Sequence, residues 1–269
     1  VTRRDGADDI EASRAPLLDH LIELRARLIK SIIAFVLAFC LTFYFAEEIF
    51  RFLTQPLAQA LADDPDRRLI FTALQETFFT YIKVAMFAAL CLAFPVIAGQ
   101  LWLFVAPGLY RDERMAFLPF LAATPVLFLL GGALVFYLIM PLATEFFLSF
   151  EAPGGDGALP IELEAKVNEY LSLVMTLIFA FGLAFQLPVL LMLMGRVGLA
   201  SSAGLAKRRK YAIVAAFAAA AILTPPDPIS QIGLGVPIIL LYEISILGVR
   251  GIERRRADKR AQETGQKTV

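Results

Sequence analysis

Six stretches of this chain are almost wholly apolar, and together they leave one environment in which it can fold. They cover residues 28–46, 77–104, 115–142, 170–195, 211–223 and 228–249. An α-helix rises 1.5 Å per residue, so about 20 apolar residues cross the hydrocarbon core of a bilayer. The first four stretches are close to that length or exceed it. The fifth has only about 13–16 residues between Lys210 and Asp227, short of a span. The sixth carries Glu243 near one end and is likewise short of uninterrupted apolar length. The chain therefore reads as an all-α, polytopic membrane protein with six transmembrane helices, the last two forming a short hairpin around residues 224–227. Composition agrees: 58% of the residues are hydrophobic and the mean hydropathy is +0.69. Intramembrane prolines (Pro95, Pro119, Pro125, Pro188, Pro237) predict bent helices rather than a straight bundle.

Charge sets the orientation. The formal net charge is zero, yet twenty of the 25 lysines and arginines fall on one side of such a six-span path. They lie in residues 1–30, in the 105–114 loop, in the 196–210 loop and beyond 249. The opposite side holds Arg51, Arg67, Arg68 and Lys166, and Lys83 stands inside the second stretch, where its long side chain reaches the interface. Excess positive charge marks the cytoplasmic loops, which puts both termini in the cytoplasm. Residues 1–16, charged and aperiodic, read as a mobile tail, residues 17–249 as the membrane domain, and residues 250–269 as a basic, disordered tail. No charged-then-apolar leader precedes residue 28, so the first apolar stretch reads as a span of the mature protein.

Residues 17–30 are a short amphipathic helix leading into the first span. Leu17, Leu21, Leu24 and Leu28 share one face, while Asp19, Glu23, Arg25, Arg27 and Lys30 lie mostly off it. Glu23 precedes Arg27 by one turn, the favourable order for a helical ion pair. The plain reading is a surface helix that anchors the first span. The sharper one is that Glu23 is presented at the membrane surface to a cationic partner.

Little in the chain supports catalysis. H-E-x-x-H, G-x-S-x-G and P-loop patterns do not occur. One histidine, His20, and two separated cysteines, Cys40 and Cys91, predict neither a metal site nor a disulfide, and both cysteines read as buried thiols. The polar residues that stand out are few. Glu76 opens the second span and Asp227 follows two prolines before the sixth, where each reads as a helix-start acid favoured by the helix dipole. Gln186 lies inside the fourth span, where it either bonds a neighbouring helix or lines a groove used by a partner. Glu113 sits between Arg111 and Arg114, and its plainer reading is a solvated loop residue.

Six segments in order carry a resemblance: His20-Leu-Ile-Glu-Leu-Arg25, Phe78-Phe79-Thr80-Tyr81-Ile82-Lys83, Phe104-Val-Ala-Pro-Gly-Leu-Tyr-Arg-Asp-Glu-Arg114, Phe181-Gly-Leu-Ala-Phe-Gln-Leu-Pro188, Leu223-Thr-Pro-Pro-Asp227 and Leu241-Tyr-Glu243. They are similar to the motifs of TatC, the large integral subunit of the bacterial twin-arginine translocase, across about residues 17–247. The resemblance implies a receptor in the bacterial cytoplasmic membrane rather than an enzyme. Such a receptor binds signal peptides with two consecutive arginines on folded precursors. It works with the single-span partners TatA and TatB, uses the proton gradient, and self-associates in the bilayer. It needs no cofactor and no nucleic acid. By motif, Glu23 and Glu113 meet the arginine pair, with Arg25, Phe104, Tyr110 and Arg114 around them, and Pro56, Gln186 and Glu243 are partner-contacting or intramembrane polar positions. The family commonly has glutamate where this chain has Gln186, so a role there that needs ionisation does not carry over. The competing reading, a secondary transporter of a small solute, calls for mid-membrane ionisable groups and an internal repeat, and neither is evident.

Overall fold

The computed structural model describes residues 5–61, 68–105, 118–152, 159–224 and 227–266, with side chains excluded at 5–19, 105, 118–119 and 259–266. Ten α-helices make up the described chain: α1 (Asp5–Tyr44), α2 (Ala46–Ala60), α3 (Glu76–Val105), α4 (Leu118–Leu134), α5 (Met140–Leu148), α6 (Val167–Ala184), α7 (Leu187–Val197), α8 (Ser202–Lys207), α9 (Arg209–Leu223) and α10 (Pro228–Gln266). A π-turn, Val135–Ile139, joins α4 to α5. Five of the resulting rods are long and apolar enough to cross a membrane. The sixth, α9, has only 15 residues, as its short apolar stretch requires. The fold is all-α, and the protein is a multi-pass membrane protein.

Several boundaries differ from the sequence reading. Residues 5–16, expected as a mobile tail, continue α1, and 250–266, expected as disordered, continue α10. In both cases a charged sequence carries on an established helix, and adding a turn to a formed helix needs no new nucleus. The third span does not stop at 142 but runs on through α5 to Leu148. The 47–76 connection holds the surface helix α2, whose Leu53, Pro56 and Leu57 are buried.

Helices pack where one of them is thin. Along α1 and α3 the seam is made of Ala38, Ala85, Ala89 and Ala93, and Thr42 Oγ1 donates across it to the Ala85 carbonyl at 2.8 Å. Small residues let backbones approach and gain dispersion contact where lipid offers no hydrophobic drive. Gly131 of α4 sits directly on the α6 backbone: a Cβ there would lie 2.7 Å from the Phe181 carbonyl oxygen. Gly182 receives the Phe128 ring in the same crossing. At α7 and α10, Gly195 faces Val249 and Gly248 faces Met192. Among the described helices only α3 packs extensively on α1, whose outer face (Leu21, Leu28, Ile32, Leu37 among others) is exposed. Cys40, expected buried, is on that face, and Cys91 is half-buried.

The end of the bundle that carries α2 is closed by short connections. Ile70 bridges to Lys166 and Ala152 to Ile161, Tyr170 Oη donates to the Leu53 carbonyl at 3.3 Å, and Phe52 stacks on Phe136 of the π-turn at 4.3 Å. At the opposite, basic end, α8 is clamped to α10. Both the Ser202 amide (2.9 Å) and its hydroxyl (2.5 Å) donate to Glu253. Tyr242 Oη donates to the Leu205 carbonyl at 2.8 Å, and the Arg256 guanidinium donates to the Arg196 carbonyl.

Candidate functional site

Thr42 and Ala85 fix the antiparallel register of α1 on α3, and the same register brings His20 to the far end of α3. There its ring stacks on Phe104, centroids 4.3 Å apart and planes 21° from parallel. The amphipathic 17–30 segment is thus held against the last turn of α3 at the basic end of the bundle. Glu23 lies one helical turn beyond His20. It accepts from Arg27 Nε at 3.0 Å and Nη2 at 2.5 Å, the intrahelical pair that the spacing predicts. The carboxylate side chain is 34% exposed, so it stands at the surface with a guanidinium already docked on it. Arg25 is exposed and Phe104 half-buried. Tyr110, Glu113 and Arg114 lie outside the described residues.

A second polar group lies inside the bundle. The Gln186 side chain is 7% exposed and occupies the break between α6 and α7, where Pro188 removes an amide from the helical ladder. Its Nε2 donates to the Thr124 carbonyl at 3.1 Å and the Gly182 carbonyl at 3.2 Å. Thr124 Oγ1 in turn accepts from Trp102 Nε1 at 3.3 Å and donates to the Phe120 carbonyl at 2.9 Å. The amide therefore ties α6 and α7 to α4, and through Thr124 to α3. Of the two alternatives for Gln186, the neighbouring-helix bond is the one observed; Oε1 is buried with no hydrogen-bond partner. The network needs a donor at this position, which an amide supplies and an ionised carboxylate would not.

The remaining expected positions are structural in their contacts. Pro56, expected at a partner contact, is buried inside α2: its ring faces the bundle. Glu243 makes a two-pronged pair with Arg209, Oε1 to Nε at 2.7 Å and Oε2 to Nη2 at 2.8 Å, joining α10 to the start of α9. Asp227 Oδ1 accepts from the Ser230 amide at 2.7 Å and caps α10. Glu76 Oε2 accepts from the Thr72 and Ala73 amides at 2.8 and 3.2 Å, folding the turn that precedes α3. Among the described residues no group of three or more His, Cys, Asp or Glu could hold a metal ion. Sequence reasoning left the His20–Phe104 stack unnoticed. Its only signal was a lone ring-bearing polar residue three positions before Glu23.

Comparison with known proteins converges on one family. The model of the family described as TatC, Sec-independent protein translocase protein, matches residues 19–237. A Magnetococcus marinus protein named Sec-independent protein translocase protein TatC is 54% identical over 258 residues, covering 96% of this chain and 92% of that protein. The Escherichia coli K12 protein of the same name is 39% identical, covering 86% of each chain. A crystal structure described as the twin-arginine translocase receptor TatC superposes with a TM-score of 0.73 at 38% identity, covering 87% of this chain and 99% of that one. A second, obtained in the detergent DDM, gives 0.72 at 39% identity.

Proposed function

The chain belongs to the TatC family, and on that premise we propose that it is the receptor of a twin-arginine protein translocase. It binds the arginine pair of signal peptides on folded precursors and passes them, with TatA- and TatB-like single-span partners, across the bacterial cytoplasmic membrane at the expense of the proton gradient. The basic end faces the cytoplasm, in keeping with the lysine and arginine bias of its loops. In this arrangement α9 is the fifth of six spans and both termini are cytoplasmic, with residues 17–249 as the membrane unit.

One observation carries the reading: the surface carboxylate Glu23 is held at the basic end by the His20–Phe104 stack, with a guanidinium already on it. Arg27 shows that this carboxylate accepts a guanidinium. A peptide arginine takes its place by exchange, one charge-assisted guanidinium–carboxylate contact replacing another. Connectivity supplies the second acid. Glu113 stands nine residues after Phe104 and five before Leu118, which keeps it within about 18 Å of the start of α4. Trp102 pairs with Thr124 and Phe94 with Phe128, so α3 ends and α4 begins on the same side of the membrane as Glu23. Two carboxylates then meet two guanidinium groups, each through charge-assisted bonds that a planar fork makes better than an ammonium.

The test is a titration of labelled twin-arginine and twin-lysine peptides against the detergent-solubilised protein. Tighter binding of the arginine peptide, weakening with salt, is expected. Equal binding of the two would remove the guanidinium site.

A further inference from the structure

The second of the six sequence segments ends in Lys83, a cation that the receptor reading does not use. Lys83 lies seven residues into α3, about 10 Å along the helix from its start at the α2 end. Its ammonium donates to Asn168 Oδ1 at 2.7 Å, so the partner is neutral and the charge is left unbalanced by that bond. Asn168 is the second residue of α6. Beyond it opens a groove of about 800 Å³ between α3, α6–α7, α9 and α10, with Lys83 at its mouth.

The lining of this groove changes character along its length. At the α2 end stand Lys83 and, on the facing side of α6, Ser172 and Thr176. Those two follow Asn168 at intervals of one helical turn, so the three share a face. Deeper in, from Phe179 onward, the α6 and α7 wall is apolar, and the opposite wall is a row of alanines on α9, Ala212 to Ala219. The order is therefore cation, then hydroxyls within about 12 Å of helix, then hydrocarbon. A phospholipid has the same order of anionic phosphate, ester carbonyls and acyl chains. Tyr242 also lines the groove at its basic end, with its hydroxyl donated to the Leu205 carbonyl, so the cation and the hydroxyls of the α3 and α6 walls stand at the α2 end.

We propose that the α2-end half of this groove is a phospholipid site, in which the phosphate of one lipid rests on the Lys83 ammonium. Its ester groups lie along Ser172 and Thr176, and its acyl chains fill the space beside the alanine face of α9. Asn168 positions the ammonium towards the groove. This site is independent of the receptor reading and requires only that the helices sit in a bilayer.

The experiment uses the full chain in detergent, loaded with phosphatidylglycerol or with a diacylglycerol of the same chains, and counts retained lipid by native mass spectrometry. One ammonium near the surface favours an anionic lipid by about fivefold, so the wild type should retain phosphatidylglycerol over diacylglycerol by that factor. Lys83→Gln should abolish the preference, and Lys83→Arg should keep it. Ala219→Phe, which fills the groove from the α9 wall and keeps the Lys83 ammonium, should lower retention of both lipids. Unchanged preference in Lys83→Gln would overturn the proposal, as would unchanged retention in Ala219→Phe. A hydrophobic single-span peptide that displaces lipid equally from the wild type and Lys83→Gln would assign the groove to a helix instead. A Lys83→Gln protein that fails to fold leaves the Lys83→Arg and Ala219→Phe measurements, either of which can refute the site.

Discussion

Adding one methyl group to Gly131 should loosen the centre of the bundle. The Cβ of Gly131→Ala would lie 2.7 Å from the Phe181 carbonyl oxygen, 2.8 Å from its carbon and 2.9 Å from the Gly182 nitrogen. All three are backbone atoms of α6, so no side chain can swing aside and α4 must move away from α6 as a unit. The same crossing holds the Phe128 ring against Gly182 and the Gln186 amide on Thr124, and both contacts open with it. Forcing a methylene into a packed core costs roughly 1–3 kcal/mol. For a chain of this size that lowers the unfolding temperature by roughly 2–12 °C. The protein carries its own probe, since its single tryptophan, Trp102, bonds Thr124 on α4. Thermal unfolding in detergent, followed by Trp102 fluorescence, is compared with Gly99→Ala, whose Cβ would make an ordinary 3.7 Å contact with Leu121. Gly99→Ala should be neutral or slightly stabilising, because alanine is the better helix former. If the two variants unfold at the same temperature, the backbone-on-backbone crossing is not what holds α4 to α6.

Three further outcomes follow from the same geometry. Glu113→Ala and Glu23→Ala should each weaken twin-arginine peptide binding by about 1.4 kcal/mol, tenfold in titration, and Asp19→Ala by much less; Arg27→Ala, which frees Glu23 of its internal competitor, should leave binding intact or tighten it. Gln186→Leu should destabilise the protein by about 1–3 kcal/mol in denaturation, since it removes the donor that ties the α6–α7 break to α4, while co-purification of single-span partners stays unchanged; a loss of partners at wild-type stability would make Gln186 a contact residue after all. Lengthening α9 by four leucines should preserve insertion and peptide binding yet reduce export, because the bilayer beside a 15-residue helix is expected to thin locally and a longer one abolishes that; undiminished export would separate helix length from transport.

The apolar runs made the architecture legible because, in a bilayer, every backbone amide must be bonded within its own helix. Glu23–Arg27 was legible for the same local reason: both partners belong to one helix, one turn apart. What spacing does not encode is contact between helices. Gly131 is one of two adjacent glycines in the third apolar stretch, and nothing nearby in sequence says that Phe181 lies against it. Gln186 was recognisable as an expensive residue, but its partner, the Thr124 carbonyl, is a backbone atom 62 positions away. At the ends of α1 and α10, charge density alone does not distinguish a tail from the continuation of a helix already formed by its apolar neighbour.

The glycine contacts at α7 and α10 also bear on how the chain is made. Gly195 leaves a gap that Val249 fills, and Gly248 leaves one that Met192 fills, and both fillers meet across more than fifty residues of intervening chain. During synthesis α1 finds its partner α3 as soon as the second span enters the bilayer. By contrast, α7 waits until the last span has been delivered, with its glycine notch open to lipid and α8 without the Glu253 that anchors it. A nascent chain halted before residue 248 is therefore unsealed along that flank, and membrane quality-control proteases should distinguish it from the finished protein by that open seam.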